Sequence, residues 1–179
     1  SKMWASMANE TDVGVLLAKT DPDAGHRGVT AFIVEPKKYP GFEARPVEMH
    51  GLSKALRTNA VFLDDFKVPV ENRLGEEGEG FQIVMQSLQA GRVTGAAKAL
   101  GVARAGFEDA VRYANERLVN GSPIGKFQMI QSDIADMAAS IEASRLLVYD
   151  AARRMDAGLP CNRIAAIAKY HASQTAKMV

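Results

Sequence analysis

The sequence predicts an α+β fold, in which a portion of a β-barrel or sandwich-type domain is followed by long antiparallel helices. Up to Asp64, short β-branched runs alternate with turn clusters, as is typical of the strands of a β domain. From residue 78 onward, apolar residues instead recur at intervals of three and four, as they do in amphipathic helices. We therefore expect two domains, a β portion at residues 1–72 and a helical portion at residues 73–179.

The predicted strands begin close to the first residue. β-branched runs at residues 13–17 and 29–34 are separated by a turn at residues 21–25, which contains Asp, Pro and Gly. In the strand before them, side chains alternate between the two faces, so Trp4 and Ser6 should share one face. Because large aromatic residues are usually part of the core, burial is the default interpretation of Trp4.

A long amphipathic helix is predicted after the β portion. Its face of apolar or small residues consists of Phe81, Val84, Met85, Leu88, Ala96, Leu100, Ala103, Phe107, Val111 and Ala114. Arg92 interrupts this face, four residues after Leu88 and four before Ala96. Because an unpaired buried charge is costly, we expect Arg92 to meet a carboxylate, a cluster of carbonyls, a bound ligand or water.

The helix boundaries are predicted from turn and capping residues. Gly121 is positioned to cap the first helix, and Ser122-Pro123 offers an N-cap and a first-turn proline for the second. The Gly-Leu-Pro sequence at residues 158–160 ends the second helix, so a third is expected from Cys161 onward. Alanines along these helices favour close packing, either in a bundle or at a dimer interface.

The composition argues against several kinds of partner and site. The 179 residues are 47% hydrophobic and 24% charged, which is ordinary for a soluble globular protein. A net charge of +1 provides no field that would attract nucleic acid. Cys161 is the only cysteine, so no intramolecular disulfide can form and nothing suggests a metal site. No apolar run approaches the roughly 18 residues of a membrane span, so we expect no membrane-spanning helix in this sequence.

One motif extends across the turn between the first two helices. It runs Tyr113-Ala114-Asn115-Glu116-Arg117, then Gly121-Ser122-Pro123-Ile124, then Phe127-Gln128-Met129-Ile130-Gln131. This pattern resembles a signature of the acyl-CoA dehydrogenase family, and the segments at residues 28–35 and 68–81 resemble that family as well. The resemblance implies that residues 1–72 are the end of the family's middle β domain. Residues 73–179 would then be the first part of its C-terminal helical bundle.

The resemblance implies an FAD site shared between subunits. Trp4-Ala5-Ser6 matches the family's flavin-side strand, so Trp4 would pack beside the flavin ring and Ser6 would hydrogen-bond near N5. Arg117 and Gln128 match residues that reach the FAD of the neighbouring subunit, with Arg117 donating to the pyrophosphate. A homodimer or homotetramer is therefore expected. The alternative is that Arg117 only caps its helix, an interaction worth about 0.3 to 1 kcal/mol.

The resemblance also implies an acyl-CoA substrate. Gln89 and Arg92 match an aspartate and an arginine that contact the CoA arm, although Gln89 brings no charge. Farther upstream, Ser53 replaces an arginine of the family pattern. Gly91 occupies the position of the catalytic glutamate in a branched-chain subgroup, so we nominate no catalytic residue and expect the glutamate base to lie beyond this chain.

The implied activity is the α,β-dehydrogenation of an acyl-CoA thioester. A carboxylate would take the α-proton, flavin N5 would take the β-hydride, and electron transfer flavoprotein would be the oxidant. The chain begins without methionine inside a predicted strand and stops inside a predicted helix, so we expect a fragment that is inactive alone. The full-length enzyme is expected in the cytoplasm of a bacterium or in the mitochondrial matrix.

Two alternatives remain open. The first keeps the fold but makes the protein a flavin-dependent monooxygenase or oxidase of the same superfamily, in which oxygen meets the reduced flavin. The second is a non-catalytic scaffold or a DNA-binding relative. The near-neutral charge disfavours binding to DNA, which depends on neutralising phosphates.

Overall fold

The computed structural model of the protein describes residues 1–49 and 56–179. Backbone contacts divide the chain into two compact units, Ser1–Met85 and Gln86–Val179. Strands dominate the first unit and helices the second, so the predicted α+β class is confirmed. The expected domain boundary after residue 72 stays a prediction, and the departure from the family pattern at Ser53 lies outside the described residues.

Two antiparallel three-stranded sheets form the first unit. Their strands are β1 (Lys2–Ser6), β2 (Gly14–Lys19), β3 (Val29–Val34), β4 (Phe42–Val47), β5 (Thr58–Leu63) and β6 (Arg73–Leu74). One sheet has the order β1-β5-β4 and the other the order β2-β3-β6. The turn predicted at residues 21–25 is confirmed, because the Asp21 carboxylate accepts a hydrogen bond from the Asp23 amide at 2.9 Å.

A cavity of about 470 Å³ lies between strands of the two sheets. Leu16 and Val34 line it from one sheet, and Ser6, Phe42 and Val61 line it from the other. Its lining is mainly apolar, as expected where inward-facing residues of two sheets meet.

β1 is not a regular strand. Lys2 lies opposite Val61 and Ala5 lies opposite Asn59, so three steps along β1 face only two steps along β5. This extra residue is a β-bulge, and next to it Trp4 adopts a left-handed backbone conformation with φ of 65°. The strict alternation that predicted a shared face for the tryptophan and the following serine is therefore interrupted.

Three helices make up most of the second unit. They are α1 (Gly80–Glu116), α2 (Gln128–Asp156) and α3 (Asn162–Met178). α3 runs in the same direction as α1, since Gly95 lies beside Lys169 and Gly106 lies beside Val179. The predicted end of α2 is confirmed by Gly158, which has φ of 67° and donates its amide to the Met155 carbonyl at 3.1 Å. No helix in the described ranges is long and apolar enough to cross a membrane.

The link between α1 and α2 differs from the prediction. After Glu116, two short strands, β7 (Leu118–Val119) and β8 (Ser122–Pro123), pair as a hairpin. Asn120 and Gly121 at its tip have positive φ angles of 51° and 77°, as a type I′ turn requires. The prediction of a glycine helix cap followed directly by a second helix was wrong. An Asn-Gly pair favours this hairpin turn, and α2 begins only after it.

Alanine side chains dominate the core of the helical unit. This alanine cluster consists of Val93, Ala96, Val148, Ala151, Ala165, Ala168 and Ala172. The prediction of close, alanine-lined helix packing is confirmed, because such small side chains let helix backbones approach each other. The predicted burial of the first part of α1 was wrong: Phe81 is 45% exposed and Leu88 is 47% exposed, since the cluster reaches α1 only from Val93 onward.

Candidate functional site

Trp4 is presented to solvent on the bulge of β1. Its side chain is 62% exposed, so the default interpretation of a buried core tryptophan was wrong. A left-handed backbone is unusual for a bulky residue, and such conformations concentrate at ligand sites. Ser6, two residues later, is also exposed and lines the cavity between the sheets. β1 therefore offers an aromatic face and a hydroxyl group to a ligand.

A buried side-chain amide on the neighbouring strand β5 contacts β1. Asn59 of β5 is fully buried, and its Nδ2 donates to the Ala5 carbonyl at 3.2 Å and to the Arg57 carbonyl at 3.3 Å. The Oδ1 atom of the same side chain has no hydrogen-bond partner within the described structure. Sequence reasoning missed Asn59. The available signal was an asparagine inside a β-branched run, where that residue type is disfavoured.

Gln89 and Arg92 lie one turn apart on α1, and both are half-buried. The Gln89 Oε1 accepts a long contact from the Cys161 thiol, with the sulfur 3.9 Å away. The ion pairs of α1 in the described chain are Arg104–Glu108 and Arg112–Asp109, and neither involves Arg92. The Arg92 guanidinium therefore keeps its donors available for water or a ligand.

Arg117 and Gln128 flank the hairpin between α1 and α2. Arg117 directly follows the last residue of α1, Gln128 is the first residue of α2, and both are exposed. The hairpin fixes their spacing, because the Ile124 amide donates to the Arg117 carbonyl at 2.9 Å. Across the two described ranges, no acidic side chain forms an ion pair with Arg117. An exposed, unpaired guanidinium beside a neutral amide is suited to binding an anion.

Arg92 and Arg117 do not form one site within a chain. Arg92 and Arg117 are separated by 25 residues, and α1 runs from one almost to the other. With a rise of 1.5 Å per residue, this separation corresponds to about 37 Å along the helix axis. The geometry therefore supports two different ligand groups for these two cations.

Among the described residues, the displaced pKa values belong to exposed ion pairs. The hydrogen bond from Arg45 holds the pKa of the Glu43 carboxyl below its ordinary value. A hydrogen bond to Glu35 likewise raises the pKa of the Lys38 ammonium. Surface pairs of this kind contribute little to stability, and they do not mark a proton-transfer group. Among the described residues, no group of three His, Cys, Asp or Glu could hold a metal ion.

The exposed groups fit a flavin nucleotide, which combines an aromatic ring system with a pyrophosphate. Trp4 offers an exposed indole and Ser6 an exposed hydroxyl. Arg117 offers a guanidinium that no ion pair of the described chain occupies. These are the side chains that the resemblance assigned to the flavin and its pyrophosphate.

Comparison with a model of known protein families matches the second half of the chain. Residues 78–179 match the family described as "Acyl-CoA dehydrogenase, C-terminal domain". That range begins just before α1 and includes the hairpin with Arg117 and Gln128.

Curated relatives match along nearly the whole chain. Glutaryl-CoA dehydrogenase from Desulfococcus multivorans is 46% identical over 97% of this chain and 45% of its own length. The caffeyl-CoA reductase-Etf complex subunit CarC from Acetobacterium woodii is 40% identical over 97% of this chain and 45% of its own length. The chain thus spans about half the length of the curated relatives it matches.

Solved structures match the same extent of the chain. Butyryl-CoA dehydrogenase from Megasphaera elsdenii superposes with a TM-score of 0.92 at 42% identity, over 97% of this chain and 45% of that one. PigA with FAD and proline superposes with a TM-score of 0.91 at 30% identity, over 97% and 45%. The arrangement of strands and helices described above is therefore shared with these proteins.

Proposed function

This chain belongs to the acyl-CoA dehydrogenase family, and on that premise we propose that it is part of an FAD-dependent acyl-CoA dehydrogenase. The observation that carries the proposal is Trp4, which is exposed on a strained strand where the family has its flavin-side tryptophan. Residues 1–72 would be the end of the middle β domain. Residues 73–179 would be the start of the C-terminal helical bundle.

The residues of this chain would bind and orient the cofactor. When bound, FAD would serve as the two-electron oxidant for removal of the β-hydrogen of the thioester as a hydride. Trp4 packs beside the ring, and Ser6 hydrogen-bonds near N5. Arg117 pairs with the pyrophosphate of the FAD held by the neighbouring subunit, and Gln128 reaches the same cofactor. The α-proton would be taken by a glutamate, and no residue present here is nominated as that base.

The substrate contacts would come from the first part of α1. Arg92 has no ion-pair partner among the described residues and is half-buried, so its guanidinium is available to the polar arm of CoA. Gln89 lies one turn before it and adds a hydrogen-bonding group without a charge. This pair would bind the part of an acyl-CoA that is common to all chain lengths.

The proposed electron acceptor is electron transfer flavoprotein. Its support is the family membership and the similarity to a subunit named for its complex with Etf. The proposed assembly is a homodimer or homotetramer, because Trp4 and Arg117 would serve flavins of different chains. The proposed location is the cytoplasm of a bacterium or the mitochondrial matrix.

An anaerobic titration of the full-length, FAD-loaded protein tests the proposal. We expect acyl-CoA thioesters to bleach the oxidised flavin absorption, and electron transfer flavoprotein to restore it. Free CoA is the control, since it offers the same polar arm without oxidisable carbons. Unchanged flavin absorption with short, branched and dicarboxylic acyl-CoA thioesters would contradict the proposed activity.

The similarity to the prolyl acyl carrier protein oxidase AnaB, at 27% identity and a TM-score of 0.91, favours a flavin-dependent oxidase as a second candidate. Such an enzyme would pass electrons from the reduced flavin to oxygen. A pulse of oxygen given to the reduced full-length protein separates the two. A dehydrogenase should be reoxidised slowly by oxygen and rapidly by electron transfer flavoprotein, and the reverse order would identify the second candidate.

A further inference from the structure

We propose that Asn59 is a positioning residue for the flavin-side strand. Its buried amide holds the bulge of β1 and thereby fixes the backbone that presents Trp4 and Ser6. The inference rests on the proposed flavin-binding function of that strand. It concerns a residue on β5, more than fifty positions away in the sequence from the strand it would hold.

The amide acts at the centre of the presented segment. Ala5 lies between the tryptophan and the serine, and its carbonyl accepts a hydrogen bond from Asn59 Nδ2 at 3.2 Å. The same Nδ2 atom also donates to the Arg57 carbonyl at 3.3 Å, and Arg57 directly precedes β5. Because Asn59 is fully buried, its amide depends on these contacts for its hydrogen bonds.

The segment held in this way is strained on both sides. Trp4 has φ of 65° and Met7 has φ of 59°, so two non-glycine residues around Ala5 occupy the left-handed region. The Met7 amide donates at 2.7 Å to the Arg57 carbonyl, which is the second acceptor of Asn59. Strained conformations persist only where their surroundings hold them, and here one buried amide contacts both the Ala5 carbonyl inside the segment and the carbonyl that accepts the Met7 amide.

Within the described part of the chain, the Oδ1 atom makes no hydrogen bond that would explain an asparagine here, so the N–H donors of Nδ2 are the functional part of this side chain. Among the described residues, Asn59 Oδ1 is buried without a hydrogen-bond partner, which is unfavourable for a polar atom. An apolar side chain would avoid that cost but would leave the two carbonyls without this donor. The asparagine is therefore explained by the contacts it makes to the bulged strand.

The test uses the full-length, FAD-loaded protein and the variants Asn59→Ala and Asn59→Leu. The second variant keeps the branched shape while removing both donors. Asn72→Ala is the matched control, because Asn72 Nδ2 also donates to a strand carbonyl, that of Ile33 at 3.1 Å, but on β3 of the other sheet. The measurements are the dissociation constant of FAD, the visible absorption spectrum of the bound flavin and unfolding in urea.

We expect both Asn59 variants to bind FAD about tenfold more weakly, as loss of a buried contact predicts, and to shift the flavin absorption bands. The Asn72 control should change the FAD dissociation constant by less than about twofold, even where its stability falls comparably. This contrast separates a role toward the flavin from a general role in the sheet.

The proposal is overturned if the Asn59 variants keep the wild-type FAD affinity and spectrum, or if the control changes them equally. It is also overturned if neither Asn59 variant folds, because the residue then serves the whole sheet. If the wild-type protein binds no FAD, the proposed function fails. A crystal structure of Asn59→Ala then decides the strand's role, and Trp4 must leave the left-handed region for the role to stand.

Discussion

Arg92 and Arg117 differ from the arginines between them on the same stretch of chain. Arg104 and Arg112 each pair with an acidic residue about one turn away, at 2.7 Å and 2.6 Å. Arg92 and Arg117 form no such pair among the described residues, although a neighbouring acid one turn away would be the simplest way to satisfy them. Of the four arginines on residues 92–117, the two without an acidic partner in the described structure are those that the family resemblance assigns to ligands.

Replacing Arg92 with alanine in the full-length protein should weaken acyl-CoA binding by about 10- to 100-fold, the range for a lost charged hydrogen bond. FAD binding should change much less, because Arg92 would contact only the CoA arm. Equilibrium titrations with each ligand measure both constants.

Arg112→Ala is the control for this variant, because it removes a guanidinium from the same helix where an acid already pairs with it. Acyl-CoA affinity should stay within about twofold of wild type in the control, as expected for an exposed ion pair. A loss of stability in Arg92→Ala with unchanged acyl-CoA affinity would assign Arg92 a structural role.

The sequence predicted which residues of β1 matter but not the shape of that strand. The Trp4-Ala5-Ser6 motif is local, so it can be read directly. The bulge depends on the register between β1 and β5, and on Asn59, which are set by residues distant in the sequence. A period of two residues cannot reveal an inserted residue, and the exposure of Trp4 was therefore not derivable from alternation.

The hairpin between α1 and α2 is the element that spaces Arg117 from Gln128. Its Asn-Gly tip was visible in the sequence, but glycine and proline are equally good signals for a helix cap and a helix start. The pairing of β7 with β8 and the positive φ angles of both Asn120 and Gly121 distinguish the hairpin. By contrast, the helices and their alanine-rich faces followed directly from the residue spacing.

Gly121→Ala should lower the free energy of unfolding by about 1 to 2 kcal/mol, because φ of 77° is unfavourable for a residue with a Cβ atom. Gly101→Ala is the matched control, since a Cβ there would meet nothing within 4 Å. In the middle of a helix, this change should raise stability by about 0.5 to 1 kcal/mol. Urea unfolding of both variants checks the opposite signs, and equal signs would contradict the hairpin geometry.

A buried hydroxyl joins α2 to α3. Ser144 is fully buried, and its Oγ lies 2.9 Å from both the His171 Nδ1 and the Thr175 Oγ1. Ser144→Ala should cost about 1 to 3 kcal/mol of stability, because it leaves a buried polar atom without its partner. Ser132→Ala on the exposed side of α2 should stay within about 0.5 kcal/mol of wild type. A neutral result for Ser144→Ala would mean that the network contributes nothing to helix packing.

The protein as a whole combines two units that would contribute to different cofactors. Trp4 lies in the unit Ser1–Met85 and Arg117 in the unit Gln86–Val179. Under the proposed function, a complete flavin site takes the first from one chain and the second from another. Enzyme activity then requires that two chains associate, and this requirement can be tested with variants.

Trp4→Ala and Arg117→Ala in the full-length protein should each be defective alone. When the two variants are unfolded together and refolded as mixed dimers, about a quarter of wild-type activity should return. Random pairing makes half of the dimers mixed, and each mixed dimer has one intact site of two. If mixed dimers form but no activity returns, both residues serve the same chain's flavin and the shared site is wrong.

The alanine cluster also limits how the sequence can drift during evolution. At Ala151, Ala165 and Ala168, each fully buried, an added methyl group would have to push helices apart. Natural variants at these positions should therefore be confined to glycine and serine, whatever their hydropathy. At partly buried neighbours such as Leu147 and Met155, exchange among large aliphatic residues should be common. In related sequences, side-chain volume rather than hydropathy would then be the conserved property of the alanine cluster.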